Sequence, residues 1–159
     1  MNRTKSLAAL VIALLAMLAL VPSAGAAPSD TTAYLTNIRV GAHDTYDRVV
    51  LDVTNLPSSY TYTPQDKLYY DPSGKPVNIP GCTFGALAMQ GSTEHTDSGQ
   101  LTYPGPQTFT TPQLTNVQAV AVIGDFEKVL TIGLGLRHAA SVHVFTLTAP
   151  NRVVIDVNH

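Results

Sequence analysis

The sequence predicts an all-β protein, an antiparallel β-sandwich or flattened barrel of about eight to ten short strands, preceded by a cleaved signal peptide. Two observations predict this fold class. Beyond the N-terminal segment, no long window shows the 3.6-residue period of an amphipathic helix, whereas short runs of β-branched and aromatic residues recur. The 11 glycines and 11 prolines fall largely between these runs, as expected where turns join many strands.

The first element is a predicted secretory signal peptide at residues 1–27. Arg3 and Lys5 precede an unbroken apolar run at residues 7–21, and the small residues around Ala24 fit an A-x-A cleavage pattern. The run is shorter than the roughly 20 residues of a membrane-spanning helix, so we expect cleavage rather than an uncleaved anchor. The mature protein would then be secreted, possess no membrane anchor, and consist of a short flexible tether at residues 28–33 and one β domain at residues 34–159.

Charge and cysteine content exclude several classes of function. The signal segment holds two of the nine basic residues, which leaves seven basic against eleven acidic residues and a net charge of −4. This acidic balance argues against nucleic acid and anionic lipid as partners. Cys82 is the only cysteine, so no internal disulfide can form. We expect a small buried core residue there, with a reactive or cross-linking thiol as the alternative.

Nine runs in the domain are predicted to be strands. They are residues 34–40, 48–53, 60–63, 67–70, 84–89, 117–123, 129–136, 142–147 and 153–157. The intervening residues 90–112 contain few aliphatic side chains and many Gly, Ser, Thr and Pro residues. They are predicted to form a long loop, a kind of segment that often carries function.

One phrase occurs twice, as DRVVLDV at residues 47–53 and NRVVIDV at residues 151–157. Because side chains alternate across a strand, each copy predicts one buried and one wetter face. The inward residues are Val49, Leu51 and Val53 in the first copy and Val153, Ile155 and Val157 in the second. The outward residues are Arg48, Val50 and Asp52, and Arg152, Val154 and Asp156.

Antiparallel pairing of these two strands would bring Arg48 towards Asp156 and Arg152 towards Asp52. Exposed ion pairs of this kind contribute about 0–1 kcal/mol, so we expect them to set register more than stability. The repeat is therefore interpreted mainly as architecture, with a binding role for the outward Arg and Asp side chains as the alternative.

A third, weaker copy, GDFEKVL, lies at residues 124–130. In the first two copies most of the aliphatic residues lie on the face opposite the basic residue. In the third copy the aliphatic residues that follow lie on the same face as Lys128. We expect either a bulge near Val129 or a strand buried on both faces. Gly133 and Gly135 would then mark bends or a close neighbour.

The sequence contains none of the common hydrolase motifs HExxH, GxSxG or Cys-x-x-Cys. His95, Asp97 and Ser98 have the residue types of a catalytic triad. Triad members must converge in space, however, and neighbours in a polar segment rarely do. We therefore expect a solvated loop there.

Carboxylates occur at two predicted turns, with Asp44 and Asp47 near one and Asp125 and Glu127 near the other. Either pair could offer hard oxygens to calcium, but two or three carboxylates are too few to predict a metal site. Asp also favours turns by bonding its own backbone. We expect turn and register residues or a ligand-contact patch, with no metal and no cofactor.

Tyrosines are the third candidate feature, because they offer a flat apolar body with a polar tip. Tyr60 and Tyr62 share one predicted strand face, Tyr69 and Tyr70 follow, and Tyr103 lies in LTYPGP. Either sheet packing or a binding platform would account for them. Tyr62 and Tyr103 are the candidates for a platform.

The assembled pattern resembles the AMIN-like domain, a relative of the AMIN domain of bacterial cell-envelope proteins. The matching pieces are GAHDTYDRVVLDV (residues 41–53), LTYPGP (101–106), GDFEKVLTIGLGL (124–136) and FTLTAPNRVVIDVNH (145–159). The resemblance implies a β-sandwich in an exported, non-catalytic module. AMIN domains accompany peptidoglycan amidases and secretion channels and are thought to bind peptidoglycan.

We therefore expect a secreted or wall-associated module whose partner is peptidoglycan or another wall glycan, or an envelope protein. The candidate ligand-binding residues are Tyr46, Asp47, Arg48, Asp125, Glu127, Arg152, Tyr62 and Tyr103. One alternative is a protein–protein interaction module or secreted inhibitor that acts through edge strands. A further alternative is an enzyme that uses His43 with Asp44, or Cys82.

Overall fold

The computed structural model describes residues 31–159, which form ten strands and no helix. The predicted signal peptide lies outside the described residues. The strands are β1 (Ala33–Ala42), β2 (Tyr46–Val53), β3 (Ser59–Gln65), β4 (Thr83–Gln90), β5 (Ser92–Thr93), β6 (Thr108–Thr110), β7 (Val117–Phe126), β8 (Val129–Leu136), β9 (Val142–Leu147) and β10 (Arg152–Asn158). Over this range the chain contains no helix that could span a membrane.

The strands form two five-stranded sheets. The first sheet has the order β5-β1-β2-β10-β9 and the second has the order β3-β4-β8-β7-β6. All neighbours pair antiparallel except β1 and β5, which pair parallel. The inward aliphatic residues of both sheets form one core cluster. The predicted all-β, mainly antiparallel fold is confirmed.

The two copies of the repeated phrase lie side by side as β2 and β10, in the predicted antiparallel register. Val49, Leu51 and Val53 point into the core, and so do the equivalent residues of β10. The prediction for Val154 is wrong, because this outward residue is only 1% exposed. Its neighbours across the sheet are Val50 of β2 and Phe145 of β9, and the side chains on both sides shield it from solvent.

One predicted strand is absent, since residues 67–70 take part only in an isolated bridge between Tyr69 and Pro76. This part of the chain instead crosses the outer side of the second sheet. Leu68, Val77 and Ile79 are buried there against β7, in a second apolar cluster. A short apolar run can thus bury itself by covering a sheet as well as by pairing within one.

The predicted long loop at residues 90–112 contains two short strands that the sequence did not indicate, β5 and β6. Both consist of polar residues and are only two and three residues long. Such runs carry no alternating apolar signal, so periodicity cannot detect them.

The third copy of the phrase is a hairpin rather than a strand. Glu127 and Lys128 have φ angles of 51° and 60°, which place both in the left-handed region that a two-residue β-turn requires. They join β7 to β8. The expected bulge near Val129 is not formed, and the irregularity lies instead between Val122 and Gly124 of β7.

Strand β8 is buried on both faces over its second half, which confirms that part of the prediction. Gly133 and Gly135 lie against residues 68–80, which we call the covering segment because they cross the outer side of the second sheet. A Cβ at Gly133 would approach Leu68 to 2.8 Å, and one at Gly135 would collide with the carbonyl oxygen of Pro80. Glycine therefore allows the close approach of a second backbone.

Asp47 joins the two sheets. Its carboxylate is completely buried on the inward side of β2. It accepts hydrogen bonds from the backbone N–H groups of Thr115 (3.1 Å), Asn116 (2.6 Å) and Val117 (2.9 Å), and it lies 3.2 Å from Nε2 of His159. Burial alone would raise the pKa of Asp47, but these hydrogen bonds together lower it below its ordinary value of 3.8. The carboxylate thereby ties β2 to the start of β7 and to the C-terminal residue.

Replacing Asp47 should strongly destabilise the fold. We expect Asp47→Ala to lower the free energy of unfolding by about 3–5 kcal/mol, since it leaves buried N–H groups without an acceptor. Because the folded pKa is depressed, this contribution is present above pH 3.8 and is lost as the pH falls further. Denaturant unfolding across pH 2–6 should thus show that the free energy of unfolding falls with acid, and that it falls less steeply in Asp47→Asn than in the unmodified protein. An equally steep fall in the two proteins would contradict this.

Gly135→Ala should destabilise the protein by about 1–3 kcal/mol, because the new methyl group must displace the Pro80 backbone. Gly41→Ala is the matched control. Gly41 also lies in a strand, but nothing stands within 4 Å of its Cβ position. Thermal unfolding of both variants measures the difference, and similar midpoints would show that the covering segment moves away at little cost.

Candidate functional site

The side of the first sheet that faces away from the core carries three of the six predicted ligand residues that remain accessible, Tyr46, Arg48 and Arg152. We call it the outer face. It consists of the outward side chains of strands β1, β2, β10 and β9. Its polar and aromatic members include Arg39, Tyr46, Arg48, Asp52, His143, Phe145, Arg152 and Asp156.

The predicted pair of Arg48 and Asp156 is present at the centre of this face. Nε and Nη2 of Arg48 donate to the two carboxylate oxygens at 2.7 and 2.8 Å. The hydrogen bond with Asp156 raises the pKa of Arg48. The two side chains are 29% and 14% exposed, so the pair is more buried than an ordinary surface ion pair. It fixes the Arg48 side chain in one position.

The second predicted pair lies close without a hydrogen bond between its members. Arg152 and Asp52 are opposite each other in the register, but Asp52 accepts two hydrogen bonds of 2.7 Å from Arg39. The hydrogen bond from Arg39 lowers the pKa of Asp52, and the charge of Arg152 helps to lower it. Nε of Arg152 donates to the carbonyl oxygen of Pro150 at 3.1 Å. Among residues 31–159, its two terminal nitrogens have no hydrogen-bond acceptor.

Aromatic rings flank Arg48 on both sides. Its guanidinium carbon lies 5.1 Å from the ring centroid of Tyr46 and 5.6 Å from that of Phe145. Tyr46 stacks on His43 at 4.4 Å, and Phe145 stacks on His143 at 5.1 Å. Cation–π contacts within about 6 Å are attractive. Four rings and one cation therefore form a continuous group across β2 and β9.

Two predicted ligand residues are buried. Asp47 is wholly buried and acts as the link between the sheets. Tyr103 is only 2% exposed, and its hydroxyl donates to the carbonyl oxygen of Pro106. Its ring packs over Gly105. Neither residue offers a surface for stacking or for ligand contact, which corrects their assignment.

Two other predicted residues belong to the second sheet. Tyr62 is partly buried on β3, with its ring against Gly85, and this burial raises its pKa. Glu127 is exposed in the hairpin between β7 and β8. The structure does not bring them together with Arg48 and Arg152 on the outer face.

Cys82 was expected to be buried, and this is wrong. Its side chain is exposed just before β4, where only its backbone N–H bonds the carbonyl oxygen of Leu136. The residue therefore lies in the bend that leads into β4 and does not occupy a core position.

Asp125 is part of a cluster that sequence reasoning missed. Its Oδ2 atom accepts hydrogen bonds from Oγ1 of Thr93 (2.8 Å) and N–H of Glu94 (3.0 Å), and it lies 2.9 Å from Nδ1 of His95. The carboxylate of Glu94 accepts a hydrogen bond from Nε2 of Gln107 at 2.9 Å. His95 thus pairs with Asp125 rather than with its sequence neighbours Asp97 and Ser98.

A shallow depression of about 260 Å³ opens beside this cluster. We call it the acidic cleft. It is lined by Tyr70, Asp71, Glu94, Gln107, Val122, Ile123, Gly124 and Asp125. No motif in the sequence indicates it, because its acidic residues come from three separate segments that only the sheet topology unites.

Comparison with known protein families identifies a match that covers the described domain. The sequence profile of the AMIN-like domain matches residues 33–159. The resemblance inferred from the sequence is therefore confirmed over the whole β-sandwich. No curated protein and no solved structure matches the chain.

A double-mutant cycle should separate the two ion pairs of the outer face. We expect a coupling free energy of about 1–2 kcal/mol between Arg48 and Asp156, whose bidentate contact is partly buried. The pair of Arg39 and Asp52 has 52% and 22% exposed side chains and should couple by less than about 1 kcal/mol. Alanine substitutions and denaturant unfolding measure both values. A larger coupling for the more exposed pair would contradict this ranking.

Proposed function

The chain belongs to the AMIN-like domain family, and on that premise we propose that it is an exported, cell-envelope-associated module that binds peptidoglycan or another wall glycan without catalysing a reaction. The proposed binding surface is the outer face. The observation that carries the proposal is the group of aromatic rings around Arg48, with the uncommitted donors of Arg152 on the same face.

The chemistry of this face suits a polymer of sugars bearing short peptides. Tyr46 and Phe145 offer flat apolar surfaces with a cation held between them, which suits a sugar ring. Asp156 engages Nε and Nη2 of Arg48, so the guanidinium is held in position between the rings. Arg152 would supply new hydrogen bonds, for which a peptide carboxylate is a matching acceptor.

The proposal assigns no nucleophile or general base. His43, one residue considered for such chemistry, has its ring stacked on Tyr46. Cys82, the other, lies beside the second sheet, whereas His43 precedes a strand of the first. These positions support a binding role for the His43 ring and give Cys82 no part in the outer face.

A protein–protein interaction module is the second candidate, and one specific feature favours it. Strand β9 is an edge strand of six residues, VHVFTL, with no proline and no lysine. Natural edge strands usually contain such protective residues, because an open edge can pair with another chain. An extended segment of an envelope protein would add to this edge by β-augmentation.

Sedimentation with purified cell-wall sacculi tests the proposed function. The protein should co-sediment, and Phe145→Ala or Arg152→Ala should each weaken retention about 10-fold, the effect of losing about 1.4 kcal/mol of binding free energy. The matched controls are Tyr69→Ala and Arg137→Ala, which remove an exposed ring and an exposed guanidinium elsewhere. They should bind as the unmodified protein does.

Two outcomes would count against glycan binding through the outer face. One is the absence of co-sedimentation at low salt. The other is equal retention of all four variants. Recovery of an envelope protein whose binding requires the open β9 edge, without glycan, would favour the second candidate.

A further inference from the structure

We infer that the acidic cleft is a binding site for a divalent transition-metal cation such as Zn²⁺, with Glu94, His95 and Asp125 as its protein ligands. This inference is independent of the proposed glycan-binding role, since none of the three residues belongs to the outer face. It also departs from the expectation, drawn from sequence, that no metal is bound.

The first observation is convergence. Each of the three side chains offers one ligand atom, and these three atoms lie within 4.8 Å of one another. Glu94 and His95 directly follow β5, and Asp125 is near the end of β7. One small ion can therefore contact all three after modest side-chain adjustment, since metal–ligand bonds to nitrogen and oxygen are about 2.0–2.2 Å long.

The second observation is a pair of carboxylate oxygens without protein partners. All three hydrogen bonds to Asp125 are accepted by Oδ2. The single hydrogen bond to Glu94 is accepted by Oε2. Within the described part of the chain, Oδ1 and Oε1 accept none. Glu94 is only 5% exposed, yet both residues line the acidic cleft. Neither oxygen is sealed from solvent, since Ser92 Oγ is the one buried side-chain polar atom without a partner in the described part of the chain. Both acceptor atoms are therefore open to a cation that enters the cleft.

The charge balance supports the same conclusion. In residues 31–159, the only cationic group in contact with either carboxylate is the imidazole of His95, when it is protonated. The nearby cation Lys128 is directed to Thr32 and Asp97 instead. A bound cation would offset the repulsion between the Glu94 and Asp125 carboxylates, which lie close together beside the cleft.

The donor set selects the kind of cation. Calcium and magnesium prefer sites built from oxygen alone, whereas a site with one imidazole and two carboxylates suits zinc or a similar transition metal. Three protein ligands also leave a position for water. To bind through Nδ1, His95 must carry its proton on Nε2, and the hydrogen bond from Nδ1 to Asp125 is then replaced by two metal–ligand bonds.

The surrounding residues already orient the ligands. Gln107 holds Oε2 of Glu94, and Thr93 holds Oδ2 of Asp125. Such supporting hydrogen bonds typically change metal affinity 10–100-fold. A bound metal would fasten the segment between β5 and β6 onto β7, where two short polar strands provide little other attachment.

Titration calorimetry on the untagged protein, after removal of metals with a chelator, tests this inference with Zn²⁺ alone as the probe. We expect one equivalent to bind with a dissociation constant of about 1 μM or below. Glu94→Gln and Asp125→Asn should each weaken binding by more than about 10-fold, and Gln107→Ala should weaken it by about 10-fold. Asp97→Asn and His138→Gln, which remove an exposed carboxylate and an exposed imidazole elsewhere, are the matched controls and should bind normally.

Thermal unfolding with and without Zn²⁺ gives a second readout. Zinc should raise the melting temperature of the unmodified protein and of both controls, but not of Glu94→Gln. Without metal, Glu94→Gln should be at least as stable as the unmodified protein, because it removes a buried charge. Asp125→Asn provides an independent test of whether loss of a ligand abolishes the zinc-dependent rise in melting temperature. The inference is overturned if zinc does not bind saturably, if the ligand variants bind like the controls, or if the cleft binds a primary amine such as lysine but not zinc.

Discussion

The buried carboxylate of Asp47 is the interaction on which the rest of the sandwich depends. A sandwich needs its two sheets held at a defined offset, and apolar packing alone is not directional. Asp47 adds direction, because it reaches from β2 in the first sheet to three consecutive backbone N–H groups at the start of β7 in the second. It also lies against His159 at the end of the chain. The register of β2 is therefore fixed by hydrogen bonds in the interior between the two sheets.

That inner constraint also positions the outer face. Side chains alternate along β2, so an inward Asp47 requires an outward Tyr46 and an outward Arg48. The antiparallel register with β10 then brings Asp156 opposite Arg48, and β9 adds Phe145 on the next row. The aromatic group around Arg48 thus follows from a buried hydrogen-bond network and strand geometry. No flexible loop is needed to assemble it.

Local patterns in the sequence were sufficient for the repeated strands and their pairing, because alternation and parity depend on neighbours in the chain. Other features depend on contacts between distant segments. The phrase containing Glu127 resembles β2 in letters, but its two central residues adopt left-handed φ angles and turn the chain. The polar strands of residues 90–112 form only because β1 and β7 offer free edges. Burial of Tyr103 and exposure of Cys82 have the same origin.

The polar groups of the domain fall into two physical classes. The carboxylates of Asp47 and Asp156 are engaged by donors within the protein, so removing either of them costs stability. By contrast, Arg152 on the outer face and the carboxylates of the acidic cleft retain donors or acceptors that the described chain leaves unused. Unused donors and acceptors that solvent can reach are available to a ligand, whereas structural bonds are already occupied. On our proposals the two sites differ in sign: the outer face would take anionic groups and the cleft would take cations.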